Sequence, residues 1–258
     1  MKIYKESYKN YLYFAYRLMK PLVDPIKLYS GLTGYPWFIR DMVKFKQLAG
    51  SQKVNVKDVY PILEDKISMT PFDAHYFYQQ IWVFEHVLKS KPAKHVDVGS
   101  TYEMSGYLSK IVPTTFIDLR PIDVHIKNLT SVRGDILNLP YKNNSLESLS
   151  SLHVLEHVGL GRYGDPIDPF ATKRACLELQ RVLRKGGNLY LSTPVGSERV
   201  CFNAHRVSNP KSIVSYFDKL NLVSFSYVDD LGKLNENVKL TDCSGMSYGL
   251  GMFIFTKK

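Results

Sequence analysis

The strongest constraint on the fold is a regular alternation of apolar and amphipathic segments that begins near residue 71. Strands are predicted at residues 95–99, 114–119, 130–134, 146–152, 188–192, 222–228 and 249–255. Helices are predicted at residues 74–88, 102–112, 170–184 and 209–220. Strands that alternate with helices favour a parallel sheet covered on both faces, and the last two strands would form an antiparallel edge. The pattern predicts an α/β domain with a seven-stranded, mostly parallel sheet.

The first 70 residues have a different composition. They are rich in Tyr, Trp, Phe and Lys, and Pro21, Pro25 and Pro36 interrupt them. Residues 1–50 carry nine Lys and Arg against three Asp and Glu, so six of the ten net positive charges lie there. This composition suits a surface that meets a membrane or a glycan, and it equally suits short helices packed over the main domain. We predict a helical extension at 1–70, serving as lid or docking surface, and a main domain at 71–258.

Charge and cysteine usage narrow the class of protein. A formal charge of +10 suits an anionic partner such as nucleic acid, a phosphorylated substrate or a lipid surface. Cys176, Cys201 and Cys243 are scattered without C-x-x-C spacing, which argues against a disulfide framework and a thiolate zinc site. No apolar stretch approaches the roughly 18–20 residues of a membrane span. A cytoplasmic protein is expected, with residues 1–50 as a peripheral contact at the inner membrane face.

Acidic residues close three successive predicted strands. Asp97 and Gly99 lie at the first crossover, where glycine lets the backbone approach a ligand and a helix N-terminus follows. Asp118 ends the second strand, where a carboxylate can bind both hydroxyls of a ribose. Asp135 follows the third strand, and a carboxylate with the next backbone N–H can read adenine. Only Gly99 and Gly106 are available for G-x-G-x-x-G, so a dinucleotide site is disfavoured.

Four segments carry a resemblance to a known family. HVDVGS, TTFIDLRP, VRGDILNLPYKNNSLESLSSLHVLEHV and ELQRVLRKGGNLYLSTP resemble the successive motifs of class I S-adenosylmethionine-dependent methyltransferases, over residues 75–256. The resemblance implies a Rossmann-like fold and S-adenosyl-L-methionine as cofactor. The second glycine usual in the first motif is Thr101 here. The implied cofactor-binding residues are Asp97, Gly99, Ser100, Asp118, Leu119, Asp135, Ile136 and Leu152.

Two further segments suggest the acceptor. HVLEHVGLGRYGDPIDPF and PVGSERVCFNAHR resemble a bacterial family of uncharacterised methyltransferase-like proteins associated with surface-polysaccharide synthesis. The resemblance implies a carbohydrate substrate, either a nucleotide-linked and hence anionic sugar or a capsule or lipopolysaccharide unit.

His153, Glu156 and His157 form H-x-x-E-H. On a helix this spacing would be an inverted zinc-protease signature, but an extended segment, SLSSL, precedes it and glycines follow it closely. The turn resembles the E-x-x-E-H turn of metal-dependent O-methyltransferases, in which a further histidine corresponds to His205. That resemblance implies that His153, Glu156, His157 and His205 bind Mn²⁺, Fe²⁺ or Zn²⁺.

The same histidines can act without a metal. An alcohol is a weak nucleophile, and S-adenosylmethionine supplies the electrophile, so the enzyme must orient the hydroxyl and accept its proton. A metal would lower the hydroxyl pKa and a histidine would take the proton; in the metal-free version His157 or His205 would be the sole base. His153, His157 and His205 are therefore the predicted catalytic residues.

The predicted substrate contacts flank this cluster. The loop GLGRYGDPIDP follows the H-x-x-E-H turn, and its acidic residues suit sugar hydroxyls, although Asp-Pro twice is also ordinary turn chemistry. The remaining histidines, His75, His86, His95 and His125, lack such context and are expected to be structural or exposed. The predicted substrate-binding residues are Arg162, Tyr163, Asp165, Asp168, Asn203 and Arg206.

Methyl transfer to a carbohydrate hydroxyl is the function that these features favour. Ribose 2′-O-methylation at an RNA end is the alternative enzyme, because basic and aromatic residues mix in the first fifty positions. A non-catalytic binding protein on a methyltransferase fold is a third hypothesis, motivated by Thr101. The sequence does not separate O- from N-methylation.

Overall fold

The computed structural model describes residues 2–48 and 53–258, with side chains from residue 11 onward. Met1 and residues 49–52, which belong to the predicted N-terminal extension, lie outside the described residues. The chain divides into two compact units, Met1–Pro71 and Phe72–Lys258.

The first unit contains two long helices, α1 (Lys2–Met19) and α2 (Pro25–Leu48), and a short 3₁₀ turn at Val56–Asp58. Asp24 Oδ1 accepts the Ile26 and Lys27 backbone N–H groups, so an aspartate cap followed by proline starts α2. Pro36 lies inside α2, although the sequence analysis treats it as an interruption. None of the described helices is long and apolar enough to cross a membrane.

The second unit alternates helices and strands as predicted. Asp73 caps its first helix, since Asp73 Oδ1 accepts the His75 and Tyr76 N–H groups. The elements are α3 (Ala74–Ser90), β1 (His95–Val98), α4 (Tyr102–Leu108), β2 (Thr114–Asp118), β3 (Leu129–Arg133), β4 (Leu146–Leu152), α5 (Ala171–Val182), β5 (Leu183–Val195), β6 (Arg199–Cys201), β7 (His205–Val207), α6 (Pro210–Ser215), β8 (Leu220–Val228), β9 (Leu234–Asn235) and β10 (Gly249–Lys257).

The main sheet has the order β3-β2-β1-β4-β5-β10-β8-β9. The first five strands pair in parallel, and β10 pairs antiparallel with both β5 and β8. The predicted antiparallel edge is therefore confirmed. The sheet has eight strands rather than the predicted seven, because two residues, Leu234–Asn235, pair with the end of β8. Such a short strand leaves no periodicity to detect.

Gly186 and Gly187 lie between the predicted helix at 170–184 and the predicted strand at 188–192, but the structure places both glycines within β5. The backbone becomes extended at Leu183, directly after the helix. Between Leu183 and Asn188 the pairing with β4 shifts register, and Gly186 has φ +71° there. A Cβ at Gly187 would lie 2.9 Å from the Leu146 carbonyl oxygen. The two glycines therefore allow the irregular backbone of β5 at the point where its pairing with β4 shifts register.

Helices cover both faces of the sheet. On one face α3 and α4 contribute Trp82, Val87 and Leu108 to a buried cluster with strand residues such as Tyr190. On the other face α5 and α6 contribute Leu179 and other apolar side chains to a second cluster. The strand order reverses direction between β1 and β4, and ligands of open α/β sheets bind at the carboxyl ends of strands beside such a reversal. The fold therefore predicts a ligand site at the loops after β1 and β4.

Candidate active site

Two cavities open at the carboxyl ends of the parallel strands. The first cavity is lined by the ends of β1, β2 and β3 and by the loop after β4. The second cavity is lined by the loops after β1 and β4, the start of α3, His205 and the turns before β9 and β10. Gly99, His153, His157 and Tyr163 line both cavities, so the two spaces adjoin.

The first cavity places the predicted ribose and adenine residues together. Asp118 Oδ1 accepts the Arg120 N–H at 2.7 Å, and Asp135 Oδ1 accepts the Leu137 N–H at 2.9 Å, so both carboxylates are fixed by the turns that follow them. Apolar side chains surround the two carboxylates: Val98, Ile117, Leu119, Ile136, Leu137, Val154 and Val158. An apolar slot with two oriented carboxylates suits a nucleoside.

The loop after β1 separates the two cavities. Gly99 has φ +71°, and a Cβ there would lie 3.1 Å from Val154 Cγ1, so this position favours glycine. Thr101 has φ −72° and ψ 139°, an ordinary extended conformation, and it caps α4. The missing second glycine is therefore not required by the backbone. Ser100 Oγ accepts the Leu152 N–H at 2.9 Å, and both residues line the second cavity.

Asp97 lies beneath this loop and is fully buried. Its carboxylate accepts the Ser100 N–H at 3.2 Å and the Ser150 hydroxyl, and Ser150 also bonds His95 Nε2 at 2.9 Å. Burial raises the pKa of Asp97 to about 6 and lowers the pKa of His95 to about 3. Asp97 is not among the residues lining either cavity, so the structure shows it holding the loop rather than facing the predicted ligand.

His153 follows β4 in a left-handed backbone conformation, with φ +57°. Strained conformations of non-glycine residues concentrate at functional sites. Its Nδ1 lies 2.5 Å from Glu156 Oε1. Its Nε2 is buried and has no hydrogen-bond partner among the described residues. Because a carboxylate only accepts, Nδ1 carries a proton, and in the neutral imidazole Nε2 presents a lone pair.

Glu156 is buried beneath the three histidines. Burial raises its pKa, but the interactions with His153 and then with His157 outweigh burial and leave the pKa below its usual value. Thr193 Oγ1 donates to Glu156 Oε2 at 3.3 Å. The carboxylate is therefore ionised near neutral pH and can stabilise a positive charge on an adjacent imidazole.

The β6–β7 hairpin closes over the turn after β4. His157 Nδ1 donates to the Ala204 carbonyl at 2.6 Å, and the Arg206 N–H donates to the Glu156 carbonyl at 2.9 Å. His157 Nε2 lies 3.7 Å from Glu156 Oε1. Burial lowers the pKa of His157 and of His205, so both imidazoles are neutral at pH 7. The hairpin brings His205 to the cavity lined by the other two histidines, as the sequence analysis anticipates.

The predicted metal site does not fit this arrangement. No group of three or more His, Cys, Asp and Glu side chains is placed to hold a metal ion anywhere in the described part of the chain. Instead Glu156 pairs with His153, the Nδ1 of His157 bonds a carbonyl, and the His205 ring packs 5.2 Å from that of Tyr248. Glu156 Oε1 and His157 Nδ1 are thus engaged by other protein groups, and the four side chains do not converge on one ion.

The predicted substrate residues divide into two groups. Arg162 and Tyr163 line the second cavity, and the Tyr163 ring lies edge-on to His157 at 5.8 Å. Asp165 lines the first cavity, where it accepts the N–H groups of Gly159 and Tyr163 at 2.7 and 3.1 Å. Asp165 thus orders the loop in which it lies.

The other three predicted substrate residues are absent from the lining of both cavities. Asp168 pairs with Arg174, and Arg206 donates to the Val158 carbonyl at 2.5 Å, which ties the hairpin to the loop. Asn203 is exposed at the tip of the hairpin. Sequence reasoning placed all three by proximity along the chain, which does not fix where a side chain points.

Sequence reasoning also missed a wall of the second cavity. The His75 and Tyr76 rings stack on the His153 ring at 5.8 and 4.9 Å, and Tyr248 packs against both His75 and His205. His75 is therefore not the isolated residue expected from sequence. The available signal was Asp73, a helix cap followed by Ala-His-Tyr, which places both rings on the first turn of α3 at the ligand end of the sheet.

Comparisons with known proteins agree with the fold. Residues 128–240 match a family model described as "Caenorhabditis protein of unknown function, DUF268", and this stretch includes the histidine turn and the β6–β7 hairpin. No curated protein matches the chain.

A solved structure named as a candidate sarcosine dimethylglycine methyltransferase from Galdieria sulphuraria aligns with a TM-score of 0.51 and 14% identity, covering 70% of this chain and 86% of that one. The N-methyltransferase NodS from Bradyrhizobium japonicum, solved with S-adenosylhomocysteine, aligns with a TM-score of 0.49 and 12% identity, covering 70% and 86%. The Galdieria alignment and the strand order together show that residues 72–258 have the Rossmann-like fold of class I methyltransferases.

Proposed function

We propose that this chain transfers the methyl group of S-adenosylmethionine to a hydroxyl of a carbohydrate, with His153 as the general base. One observation carries the proposal: His153 lies where the two cavities adjoin, and a buried carboxylate holds its Nδ1 while its Nε2 is without a partner. A base in that position reaches a hydroxyl in the second cavity beside a methyl donor in the first.

The first cavity supports S-adenosylmethionine as the donor. Asp118 would bind the ribose hydroxyls, and Asp135 with the Ile136 N–H would bind adenine among the apolar side chains. The methionine part would pass Gly99 and Ser100 toward the second cavity, which these two residues also line. The solved NodS structure binds S-adenosylhomocysteine, the demethylated form of the same cofactor.

The reaction then needs one proton acceptor. The acceptor oxygen attacks the methyl carbon as the carbon–sulfur bond breaks, and the sulfur keeps that electron pair in S-adenosylhomocysteine. The hydroxyl proton passes to His153 Nε2, and Glu156 stabilises the resulting imidazolium through Nδ1. His157 and His205 line the same cavity as neutral imidazoles and would hydrogen-bond the acceptor.

The carbohydrate assignment rests on the sequence resemblance to methyltransferase-like proteins of surface-polysaccharide synthesis. A nucleotide-linked sugar and a capsule or lipopolysaccharide unit both contain suitable hydroxyls. Metal assistance is the weaker version of the mechanism, since Glu156 bonds His153 and His157 Nδ1 bonds the Ala204 carbonyl. Full activity after chelation would remove it, and loss that Mn²⁺, Fe²⁺ or Zn²⁺ restores would reinstate it.

His153→Gln tests the proposal. Glutamine keeps a hydrogen-bonding side chain but cannot take the proton, so kcat should fall by about 10²- to 10⁴-fold, the usual contribution of a general base. Calorimetry should show S-adenosylmethionine affinity within a few-fold of wild type. Glu156→Gln leaves His153 without its anionic partner and should lower kcat by roughly 10²-fold or more at unchanged cofactor affinity.

His125→Gln is the matched control, because His125 is exposed and outside the lining of both cavities. Labelled methyl groups from S-adenosylmethionine would be followed into saccharide acceptors and short RNA. Wild-type rates in His153→Gln would contradict the base assignment. Absence of cofactor binding by the wild-type protein would instead favour a non-catalytic binding protein.

A further inference from the structure

We infer that the second cavity receives an uncharged, hydroxyl-rich ring and rejects an anionic acceptor at the methylated position. The inference rests on the proposed function, since it specifies the substrate class of the same site. It opposes the expectation from the whole chain, whose charge of +10 suggests an anionic partner.

The lining of the second cavity is acidic. Four carboxylates, those of Asp73, Glu156, Asp229 and Asp230, line it, whereas Arg162 is the single guanidinium among the lining residues described. Arg199 is not among the lining residues, and its Nη1 donates to the Ser197 and Ser247 carbonyls at 2.8 and 2.7 Å.

The structure fixes these carboxylates in place. Asp230 accepts the Ser247 and Tyr248 N–H groups at 2.8 and 2.6 Å, and these bonds lower its pKa and keep it ionised. Asp229 Oδ1 accepts the Leu231 and Lys233 N–H groups, both at 2.9 Å. Because backbone N–H groups hold the Asp229 and Asp230 carboxylates, the remaining lone pairs of both are oriented without loss of side-chain freedom on binding.

The histidines do not offset this negative charge. Burial lowers the pKa of His75, His157 and His205, so these imidazoles are neutral at pH 7. A carboxylate or phosphate brought close to a fixed carboxylate is repelled by it, and this repulsion is stronger in a cavity than in bulk water. A hydroxyl, by contrast, donates a hydrogen bond to the same oxygen.

Aromatic side chains in the second cavity also suit a hydroxyl-rich ring. Tyr76, Tyr163 and Tyr248 line the cavity together with exposed Phe72. Aromatic rings present an apolar face to the C–H face of a ring, while carboxylates accept from the hydroxyls at its edge.

One buried polar atom of the cavity lining, His153 Nε2, lacks a hydrogen-bond partner within the described chain. The His153 side chain is 6% exposed. An unpaired polar atom in a buried position is costly, and an acceptor hydroxyl would donate to it. The acidic lining and this atom together indicate a neutral donor-rich ligand.

The charge of the cavity can be measured without knowing the acceptor. Cationic, neutral and anionic nitroxide probes would be compared through paramagnetic relaxation of the Tyr76, Gly232 and Tyr248 amide signals. The cationic probe should enhance relaxation at least about threefold more than the anionic one, since surface potentials reach several kT. Asp229→Asn with Asp230→Asn should reduce this ratio, and Asp123→Asn, remote from the lining, should leave it unchanged. An equal or reversed ratio in the wild-type protein would overturn the inference.

A second experiment measures the transfer of labelled methyl groups from S-adenosylmethionine to candidate acceptors. The probes are methyl glycosides of neutral hexoses, the matching uronic acids, hexose phosphates and a short RNA. Neutral glycosides should be labelled at least about tenfold faster than their uronic acids, and equal or faster labelling of any anionic probe would overturn the inference. Calorimetry with S-adenosylmethionine separates the two proposals: without cofactor binding the proposed function fails, while the relaxation ratio still decides the charge of the cavity.

Discussion

The two cavities differ in the polarity of their linings and in the parts of the chain that form them. The first cavity has a largely apolar lining with three carboxylates, those of Asp118, Asp135 and Asp165, and it is supplied mainly by three successive strand ends and the loop after β4. The second cavity is polar, acidic and aromatic, and its walls come from segments as distant in sequence as Asp73 and Tyr248. The ends of the sheet strands can form a cavity that many proteins of one fold share, such as the first cavity. Loops add the cavity that selects a substrate, such as the second.

Asp118→Asn gives the largest effect expected from changes confined to the first cavity. Asparagine keeps an acceptor for the Arg120 N–H but loses the charge that would bind the ribose hydroxyls. Hydrogen bonds to charged groups contribute about 1.5–3 kcal/mol, so S-adenosylmethionine affinity should fall roughly 10- to 100-fold by calorimetry. Asp123→Asn, on the exposed loop after β2, should change nothing. Unchanged affinity in Asp118→Asn would mean that the cofactor does not occupy the first cavity.

Gly99→Ala tests the boundary between the cavities. A left-handed conformation costs an L-residue about 1–2 kcal/mol, and the new Cβ would lie 3.1 Å from Val154 Cγ1. Thermal unfolding should move down by roughly 2–8 °C, and cofactor affinity should fall with it. Gly106→Ala is the control, because a Cβ added there would meet no atom within 4 Å apart from chain neighbours and the backbone of its own helix. It should leave cofactor affinity close to wild type and the unfolding temperature equal or slightly higher, since alanine favours a helix over glycine. Similar effects of the two substitutions would remove the special role of Gly99.

The pH dependence of stability tests whether His95 is buried in its neutral form beneath the loop after β1. The pKa of His95 is about 3 in the folded protein against 6.5 when unfolded, so the unfolded state binds more protons between these values. The histidine therefore lowers stability as pH falls below 6.5, by about 1.4 kcal/mol per pH unit. Asp97 acts in the opposite sense, because its raised pKa of about 6 adds stability as pH falls from 6 toward 3.8.

Chemical denaturation of wild type and His95→Gln between pH 7 and 5 separates these contributions. The wild-type protein should lose stability more steeply than the variant below pH 6.5, and the difference between the two slopes isolates the histidine. Parallel slopes would show that His95 is not buried in its neutral form.

The first cavity could be predicted because its residues follow from position alone. Asp118 and Asp135 end strands whose apolar pattern is strong, and parallel strands bring their carboxyl ends to one edge. Asp97 fits the same pattern, yet the Ser150 hydroxyl and the Ser100 N–H draw it beneath the loop. A strand end fixes where a residue lies but not what its side chain bonds.

The second cavity could be predicted only where its residues are neighbours in sequence. His153, Glu156 and His157 share one turn, and His205 was identified through a resemblance. The β6–β7 hairpin that brings His205 there has strands of three residues, too short for a pattern. The Tyr248 N–H donates to the Asp230 carboxylate 18 residues away, which no local rule anticipates.

The crystal structure of the protein with S-adenosylhomocysteine tests the central claim most directly. The account predicts the adenosine in the first cavity against Asp118 and Asp135, and the homocysteine passing Gly99 so that the sulfur faces the second cavity beside His153 Nε2. Adenosine bound in the second cavity, or a sulfur turned away from His153, would contradict a methyl-transfer site at the junction of the two cavities.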